Sequence, residues 1–169
     1  RQSPTILVAA QSIVVLGSTG SIGTSCLDVI QSHRDTMRLH GITAFRSVEL
    51  LSRQSQQFEP RWAILGDLQA DRAGGSFGDT QFYQGMDHAE RLIRETDVDT
   101  VVSAIVGAAG LAPTWAAIDA GKRVAVANKE ALVVAGPMIT KRAQETGAQL
   151  LPVDSEHSAI FQALQAGRK

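Results

Sequence analysis

The sequence has 169 residues, of which 44% are hydrophobic and 20% charged, and its formal net charge is −1. This length suits one domain with a substantial core, and the composition is that of a soluble globular protein. The nearly balanced charge argues against proteins that bind nucleic acid or anionic membranes by electrostatic attraction. No apolar run approaches the ~20 residues of a membrane-spanning helix, so we expect neither nucleic acid nor membrane as a partner.

The beginning of the chain and its single cysteine carry little functional information. Residues 1–11 contain an apolar run of about five residues, shorter than the ~7–15 of a secretory signal, so we expect a disordered leader or an expression remnant. Cys26 has no partner for an internal disulfide and lies in a predicted helix, which favours a buried small hydrophobic residue over a reactive thiol. A cytoplasmic location is therefore only the default expectation.

Short apolar runs alternate with helical patterns along the whole chain. The predicted strands are Ser12–Leu16, Arg38–Ala44, Trp62–Leu65, Gln81–Tyr83, Thr100–Ile105, Arg123–Ala127 and Gln149–Val153. The predicted helices are Ser21–His33, Val48–Phe58, Asp87–Glu95, Pro113–Ala120, Pro137–Thr146 and one that begins near Ser158. Pro113 and Pro137 are placed in first helical turns, and Gly121 and Gly147 directly after helix ends.

These strands are apolar almost throughout, which predicts burial on both faces of a sheet. Strands and helices in strict alternation are typical of a mostly parallel sheet with helices on both faces. The predicted fold is therefore α/β, doubly wound and Rossmann-like.

A glycine-rich loop follows the first predicted strand directly. Residues 17–23 read GSTGSIG and lead into the first predicted helix. Glycines allow a tight turn and close approach of the backbone to a pyrophosphate, which the N-terminus of the helix would bind. The spacing G-x-x-G-x-x-G differs from the common G-x-G-x-x-G, so a purely structural turn stays an alternative. The position of the loop nevertheless favours a dinucleotide site.

The end of the second strand indicates which dinucleotide is bound. NAD enzymes usually have an acidic residue there that bonds the ribose 2′-hydroxyl. Here Arg46 and Ser47 follow the strand, and the first acidic residue is Glu49. An arginine suits a 2′-phosphate, which favours NADPH, although Arg46 could also be an ordinary surface residue.

Small and polar residues follow the later strands. Residues 106–110 (VGAAG) form a second small-residue loop, suited either to a cofactor or to close helix packing. Asn128, Lys129 and Glu130 follow the sixth strand, and residues 154–157 (DSEH) follow the seventh.

These polar residues suggest a metal site with an incomplete set of ligands. Asp154 and Glu156 would face the same way in an extended segment, as paired ligands of Mg²⁺ or Mn²⁺ do. Two carboxylates do not complete an octahedral site. The alternatives are a helix cap at Asp154 or Ser155 and a solvated Lys129.

Four blocks of sequence, in order, resemble the 1-deoxy-D-xylulose 5-phosphate reductoisomerase family. They are residues 16–23 (LGSTGSIG), 104–111 (AIVGAAGL), 127–130 (ANKE) and 150–157 (LLPVDSEH). The resemblance implies an enzyme that rearranges and reduces 1-deoxy-D-xylulose 5-phosphate to 2-C-methyl-D-erythritol 4-phosphate in non-mevalonate isoprenoid biosynthesis. It further implies NADPH and a divalent cation, Mn²⁺ or Mg²⁺, as cofactors.

The same resemblance implies roles for individual residues. The cofactor-binding residues of the family correspond here to Thr19, Gly20, Ser21, Ile22, Arg46, Ser47, Asn128 and Glu130. The first four would contact the pyrophosphate, the next two the 2′-phosphate, and the last two the region of the ribose and nicotinamide. Substrate contacts would come from Lys129, Ser155 and Glu156, catalytic roles from Lys129 and Glu156, and metal ligation from Asp154 and Glu156. Relatives have Lys-Asn where this chain has Arg46-Ser47, so only the charge matches.

The resemblance also implies that this chain is part of a larger enzyme. Family members are about twice as long and supply a third acidic metal ligand, a lid and most phosphate-binding groups further along the chain. We therefore expect residues 12–150 to bind NADPH and residues 151–169 to begin the catalytic and metal-binding region. The chain alone is expected to be inactive, and a homodimer is compatible with the resemblance. Another NADPH-dependent Rossmann reductase, or a non-catalytic nucleotide-binding module, is the alternative.

Overall fold

A computed structural model describes residues 9–127, 129–153 and 156–166. Most of the predicted leader, and Asn128, Asp154 and Ser155, lie outside these described residues. The strands are β1 (Gln11–Leu16), β2 (Met37–Ala44), β3 (Trp62–Leu65), β4 (Gln81–Gln84), β5 (Thr100–Ser103), β6 (Arg123–Val126) and β7 (Gln149–Pro152). The α-helices are α1 (Ser21–Ser32), α2 (Val48–Phe58), α3 (Asp87–Ile93), α4 (Leu111–Asp119), α5 (Lys129–Thr146) and α6 (His157–Gln165).

The seven strands form one sheet in the order β4-β3-β2-β1-β5-β6-β7, and every neighbouring pair is parallel. The chain winds outward from β1 to one side as far as β4 and then returns to build the other side from β5. The order therefore reverses between β1 and β5, where open α/β sheets bind their ligands. The predicted doubly wound, Rossmann-like fold is confirmed.

Helices cover both faces of the sheet. Alternate residues of β1 separate the two faces: Ile13 and Val15 belong to one buried cluster, and Val14 and Leu16 to the other. The first cluster includes residues of α1, α2 and α6, and the second includes residues of α3, α4 and α5. Because the central strand is fully buried on both sides, its sequence shows no polar alternation.

Most predicted element boundaries agree with the structure to within two residues, but the start of α5 does not. Pro137 was expected in a first helical turn, whereas α5 begins at Lys129 and contains Pro137 in its interior. Proline lacks an N–H and removes one i→i−4 hydrogen bond, which normally ends a helix. The helix nevertheless runs on through Pro137 to Thr146. The predicted start was wrong because proline is commonest in the first turn of a helix, and the apolar residues before Pro137 contain no other signal for a helix start.

The last described segment belongs to the same core. The predicted boundary between residues 150 and 151 falls inside β7, and α6 packs against α1. Ile160 and Leu164 of α6 are buried in the cluster that contains Ile13 and Val15. The helix that follows the predicted metal ligands is therefore anchored in the same buried cluster as α1.

Cys26 is fully buried in α1, and burial raises the pKa of its thiol to about 12. A thiol held in its neutral form is a poor nucleophile, so the interpretation as a buried hydrophobic residue is confirmed. Among the described residues, every helix is too short or too polar to span a membrane.

Asp119 joins the three helices on one face. Its carboxylate accepts hydrogen bonds from Arg94, which follows α3, and from Arg142 of α5, with Arg94 Nη1 2.6 Å from Asp119 Oδ2. The hydrogen bond from Arg94 has the largest effect in lowering the pKa of Asp119, and the bond from Arg142 has the next largest. A lowered pKa means that the native state stabilises the charged carboxylate.

We expect Asp119→Asn to lower the urea midpoint of unfolding at pH 7, because the two arginines lose their charged partner. The pKa of Asp119 is lower in the folded state, so its contribution is present above the unfolded value of 3.8 and is lost as the pH falls through the folded value. The difference between wild type and variant should therefore shrink below about pH 4. Glu90→Gln, an exposed change on α3, is the matched control. A variant whose deficit is the same at pH 7 and pH 3 would contradict this assignment.

Candidate functional site

The carboxyl ends of the strands meet at one edge of the sheet and carry most of the predicted site residues. The glycine loop follows β1, Arg46 and Ser47 follow β2, and the small-residue loop follows β5. Lys129 begins α5 after β6, and Glu156 precedes α6 after β7. Since all seven strands are parallel, these segments lie along the same edge.

Gly17 occupies a position that only glycine fits easily. Its φ is +79°, and a Cβ there would lie 2.9 Å from the carbonyl oxygen of Ala104. The loops after β1 and β5 are therefore in close backbone contact. Ala104 N also donates to Leu16 O at 3.0 Å, which fixes the second loop beside the first. The predicted strand at Thr100–Ile105 ends earlier, at Ser103, because the chain turns into this contact.

Ser18 connects the glycine loop to α2. Its side chain is fully buried and donates to Gln54 Oε1 at 2.7 Å, while Gln54 Nε2 donates to Ser18 O at 2.9 Å. Thr43 of β2 accepts from Gly17 N through its hydroxyl oxygen and from Ser18 N through its carbonyl, both at 2.9 Å. Four bonds thus fix the backbone of the loop before any ligand binds.

The third glycine of the loop is required by packing. A Cβ on Gly23 would lie 2.1 Å from Gly17 O and 2.7 Å from Ser18 Cα, so α1 could not stay this close to the loop. Gly20, by contrast, is exposed, and the nearest atom to an added Cβ is Gly17 O at 3.7 Å. Gly20 is also the N-cap of α1 and makes no side-chain cap bond. The N-terminus of this helix is therefore open to an approaching anion.

A cleft of about 380 Å³ opens between these loops. Its lining is mostly apolar and small, and it consists of Gly17, Thr19, Gly20, Thr43, Ala44, Phe45, Met86, Ala104, Ile105, Val106 and Ala109. Thr19 and Gly20 thus line the cleft, whereas Ser21 is exposed at the start of α1 and Ile22 packs partly against the core. An apolar cleft beside an open helix N-terminus fits a dinucleotide, with its phosphates on the helix.

Arg46 lies at the rim of this cleft, next to Phe45. Its side chain is 73% exposed, its Nε donates to Asp67 Oδ2 at 2.7 Å, and its guanidinium carbon lies 5.2 Å from the centre of the Phe45 ring. A backbone hydrogen bond from Gln69 and the side-chain bond from Arg46 lower the pKa of Asp67. Asp67 is therefore an anion, and its carboxylate holds the Arg46 side chain in place. Ser47 is the exposed N-cap of α2.

The predicted metal and substrate residues are described only in part. Glu156 is exposed and extended at the N-cap of α6, where its carboxylate can point to solvent at the edge of the sheet. The backbones of Lys129 and Glu130 form the first turn of α5. Asn128, Asp154 and Ser155 lie outside the described residues. Of the two predicted metal ligands, only Glu156 is described. Its exposed carboxylate follows β7 and is the kind of ligand that a hard divalent cation prefers.

Sequence reasoning did not identify Ser18, Thr43, Gln54 or Asp67 as parts of the site. Ser18 was within the predicted motif, but its partner Gln54 is 36 residues away in what looked like an ordinary amphipathic helix. Asp67 lies in a segment rich in turn residues and is 21 residues from Arg46. No spacing in the sequence marks these pairs, because they are made by the pairing of β1 with β2 and of β2 with β3.

The chain is similar in sequence and in structure to proteins of one known family. The sequence profile of 1-deoxy-D-xylulose 5-phosphate reductoisomerase matches residues 13–136. The chain belongs to this family. A reductoisomerase from Nitrosospira multiformis is 48% identical over 166 residues, which cover 94% of this chain and 41% of that protein. The chain thus spans about two fifths of the length of the curated relatives it matches.

Solved structures of reductoisomerases have the same fold as this chain. The enzyme from Zymomonas mobilis in complex with NADPH aligns with a TM-score of 0.81 at 38% identity, over 91% of this chain and 41% of that one. A reductoisomerase in complex with NADPH, fosmidomycin and magnesium aligns with a TM-score of 0.77 at 42% identity, over 93% of this chain and 40% of that one. The family resemblance seen in the four sequence blocks is therefore confirmed.

We expect Gly23→Ala to destabilise the chain by about 1–3 kcal/mol, because the methyl group collides with backbone atoms that cannot rotate away. Urea unfolding followed by circular dichroism measures this. Gly20→Ser is the matched control, because the position has space and serine is a favoured N-cap residue. Equal stability of the two variants would show that the loop and α1 can separate at little cost.

Proposed function

We propose that this chain supplies the NADPH-binding part of an enzyme that converts 1-deoxy-D-xylulose 5-phosphate to 2-C-methyl-D-erythritol 4-phosphate. The observation that carries the proposal is the fixed glycine loop, which leads into the open N-terminus of α1 at the point where the strand order reverses. The family membership and the NADPH complexes of related enzymes support the choice of cofactor.

The cofactor would lie across the carboxyl edge of the sheet. Backbone N–H groups around Thr19–Ile22 would bind the pyrophosphate, and the cleft beside Phe45 would take the adenosine. Arg46 and Ser47 would bind the 2′-phosphate, for which the guanidinium of Arg46 is suited by charge and by its planar set of donors. Asn128 and Glu130 would contact the ribose and nicotinamide end. The order β2-β1-β5-β6 in the sheet supports this direction for the bound cofactor.

Substrate and metal would be bound beside the nicotinamide. Lys129 and Ser155 would contact the phosphorylated substrate, and Asp154 and Glu156 would bind Mg²⁺ or, alternatively, Mn²⁺, with Glu156 also touching substrate. When bound, the metal supplies a Lewis acid for adjacent oxygens and NADPH supplies a hydride. The residues of this chain bind and orient these groups. The segments that relatives carry beyond the matched part would complete the ligand set and exclude water. A homodimer and a cytoplasmic location stay predictions.

A calorimetric titration with NADPH, and with NADH in parallel, tests the cofactor assignment. We expect NADPH-selective binding that changes little with Mn²⁺, because the glycine loop and Arg46, which would bind the phosphates, follow other strands than the proposed metal ligands. Arg46→Ala should weaken NADPH by roughly 10–100-fold, as expected for the loss of a charged hydrogen-bond donor, and should affect NADH far less. Arg53→Ala, an exposed arginine of α2, is the matched control. Equal losses for both nucleotides would refute the assignment of Arg46 to the 2′-phosphate.

Activity can be tested by joining this chain to the remaining part of a related reductoisomerase. We expect the chain alone to bind NADPH without turnover and the chimera to oxidise NADPH only when substrate and Mg²⁺ are present. Glu156→Gln in the chimera should abolish turnover while leaving NADPH affinity nearly unchanged, because Glu156 acts at the metal and not at the nucleotide. A folded chimera that binds NADPH but never turns over would instead favour a non-catalytic nucleotide-binding module.

A further inference from the structure

A second cluster of metal-ligand side chains lies at the opposite edge of the sheet. His40 Nε2 is 3.2 Å from Glu95 Oε2 and 3.9 Å from Asp97 Oδ1. One ligand atom from each of the three residues lies within 4.8 Å of the others, and no other such group occurs among the described residues. Glu95 and Asp97 precede β5, so the cluster is at the amino ends of the strands, away from the glycine loop.

A β-bulge places His40 in this cluster. Leu39 pairs with Ile13 and Gly41 pairs with Val14, so His40 is the extra residue between two consecutive pairs. A bulge re-aims a side chain relative to regular alternation and is common beside functional sites. The His40 side chain is only 3% exposed, and its ring edge faces the Trp62 ring at a centroid distance of 6.4 Å. The imidazole is therefore held by packing and not by chance surface contact.

Two basic residues fix the segment that carries Glu95 and Asp97. Arg61 Nη1 donates to Asp97 Oδ2 at 2.8 Å, which leaves Oδ1 toward His40. Lys122 Nζ donates to the carbonyl oxygens of Glu95 and Val98 at 2.6 and 2.7 Å and so shapes the turn between α3 and β5. Hydrogen bonds that orient ligands in this way are typical of metal sites.

The distances match those of a small transition-metal ion. At metal–ligand distances of ~2.0–2.2 Å, neighbouring ligands of a tetrahedral site are ~3.3–3.6 Å apart. The His40–Glu95 and His40–Asp97 separations of 3.2 and 3.9 Å bracket this range, and the ligand atoms of Glu95 and Asp97 lie within 4.8 Å of each other. Asp97 is 42% exposed and Glu95 27%, so an ion can enter from solvent and water can fill the remaining position.

We propose that His40, Glu95 and Asp97 form a second metal site, selective for Zn²⁺ and similar ions such as Co²⁺. One imidazole nitrogen with two carboxylate oxygens suits these borderline ions, whereas Mg²⁺ and Mn²⁺ prefer oxygen ligands alone. The site joins β2 to the turn that enters β5 and touches neither the cleft nor the carboxyl edge. Its bound ion therefore stabilises the fold without taking part in the chemistry at the other edge.

Trp62 reports on this site. It is fully buried, and its ring lies over Gly41, where an added Cβ would be 2.3 Å from ring atoms. The chain has two tryptophans, so Trp115→Phe leaves Trp62 as the only indole. In that variant, at pH 7.5 and with excess Mg²⁺ to fill sites made of oxygen ligands, Co²⁺ should quench the Trp62 fluorescence with a saturating profile. Zn²⁺ should displace Co²⁺ and restore the emission, and Zn²⁺ should also raise the melting temperature.

His40→Gln and Asp97→Asn should each weaken Co²⁺ binding by roughly 10-fold or more, since both remove a ligand. His88→Gln removes a histidine of α3 that lies beside the Tyr83 ring and outside the cluster, so it should leave binding unchanged. Circular dichroism without metal checks the fold of each variant, and Glu95→Gln replaces any variant that does not fold. Quenching that is linear, or equal in wild type and in folded His40→Gln, would overturn the proposal and leave the cluster as an ion-pair network between β2 and the turn.

Discussion

The reciprocal hydrogen bonds between Ser18 and Gln54 are the constraint on which the cofactor side of this protein depends. A buried serine and a buried glutamine must satisfy each other, because an unpaired polar group in this position would cost on the order of 1–3 kcal/mol. Their pairing, with the two bonds to Thr43, fixes the glycine loop against β2 and α2. The helix N-terminus is therefore preorganised, and a ligand does not have to order it.

This fixed loop determines how the rest of the edge is used. Because Gly17 touches the backbone of Ala104, the loop after β5 borders the same cleft as the loop after β1. The parallel order then brings the ends of β6 and β7 to the same edge of the sheet. The loops after β1, β2 and β5 thus surround one cleft, and the ends of β6 and β7 lie farther along the same edge.

At the rim of the cleft, an ion pair holds a charged side chain in position. Arg46 is placed between the anion of Asp67 and the ring of Phe45, so its charge is neutralised while the cleft is open. At the other edge, Arg61 and Lys122 hold the carboxylates and the turn around His40 in a similar manner. In both places, ion pairs position side chains that lie between separate elements.

The sequence by itself determined the alternation of elements, the fold class, the glycine loop and the family. Each of these follows from local hydrophobic periodicity, from glycine spacing or from short blocks of sequence. It also predicted the buried state of Cys26, which lies on the apolar face of α1. It misplaced the start of α5, because proline is common in the first turn of a helix but is not confined to that position. Only the tertiary structure decided that Gln54 supports Ser18, that Asp67 holds Arg46, and that His40 meets Glu95 and Asp97. These partners are 21 to 57 residues apart, by the differences of their residue numbers, and sheet pairing, not sequence spacing, brings them together.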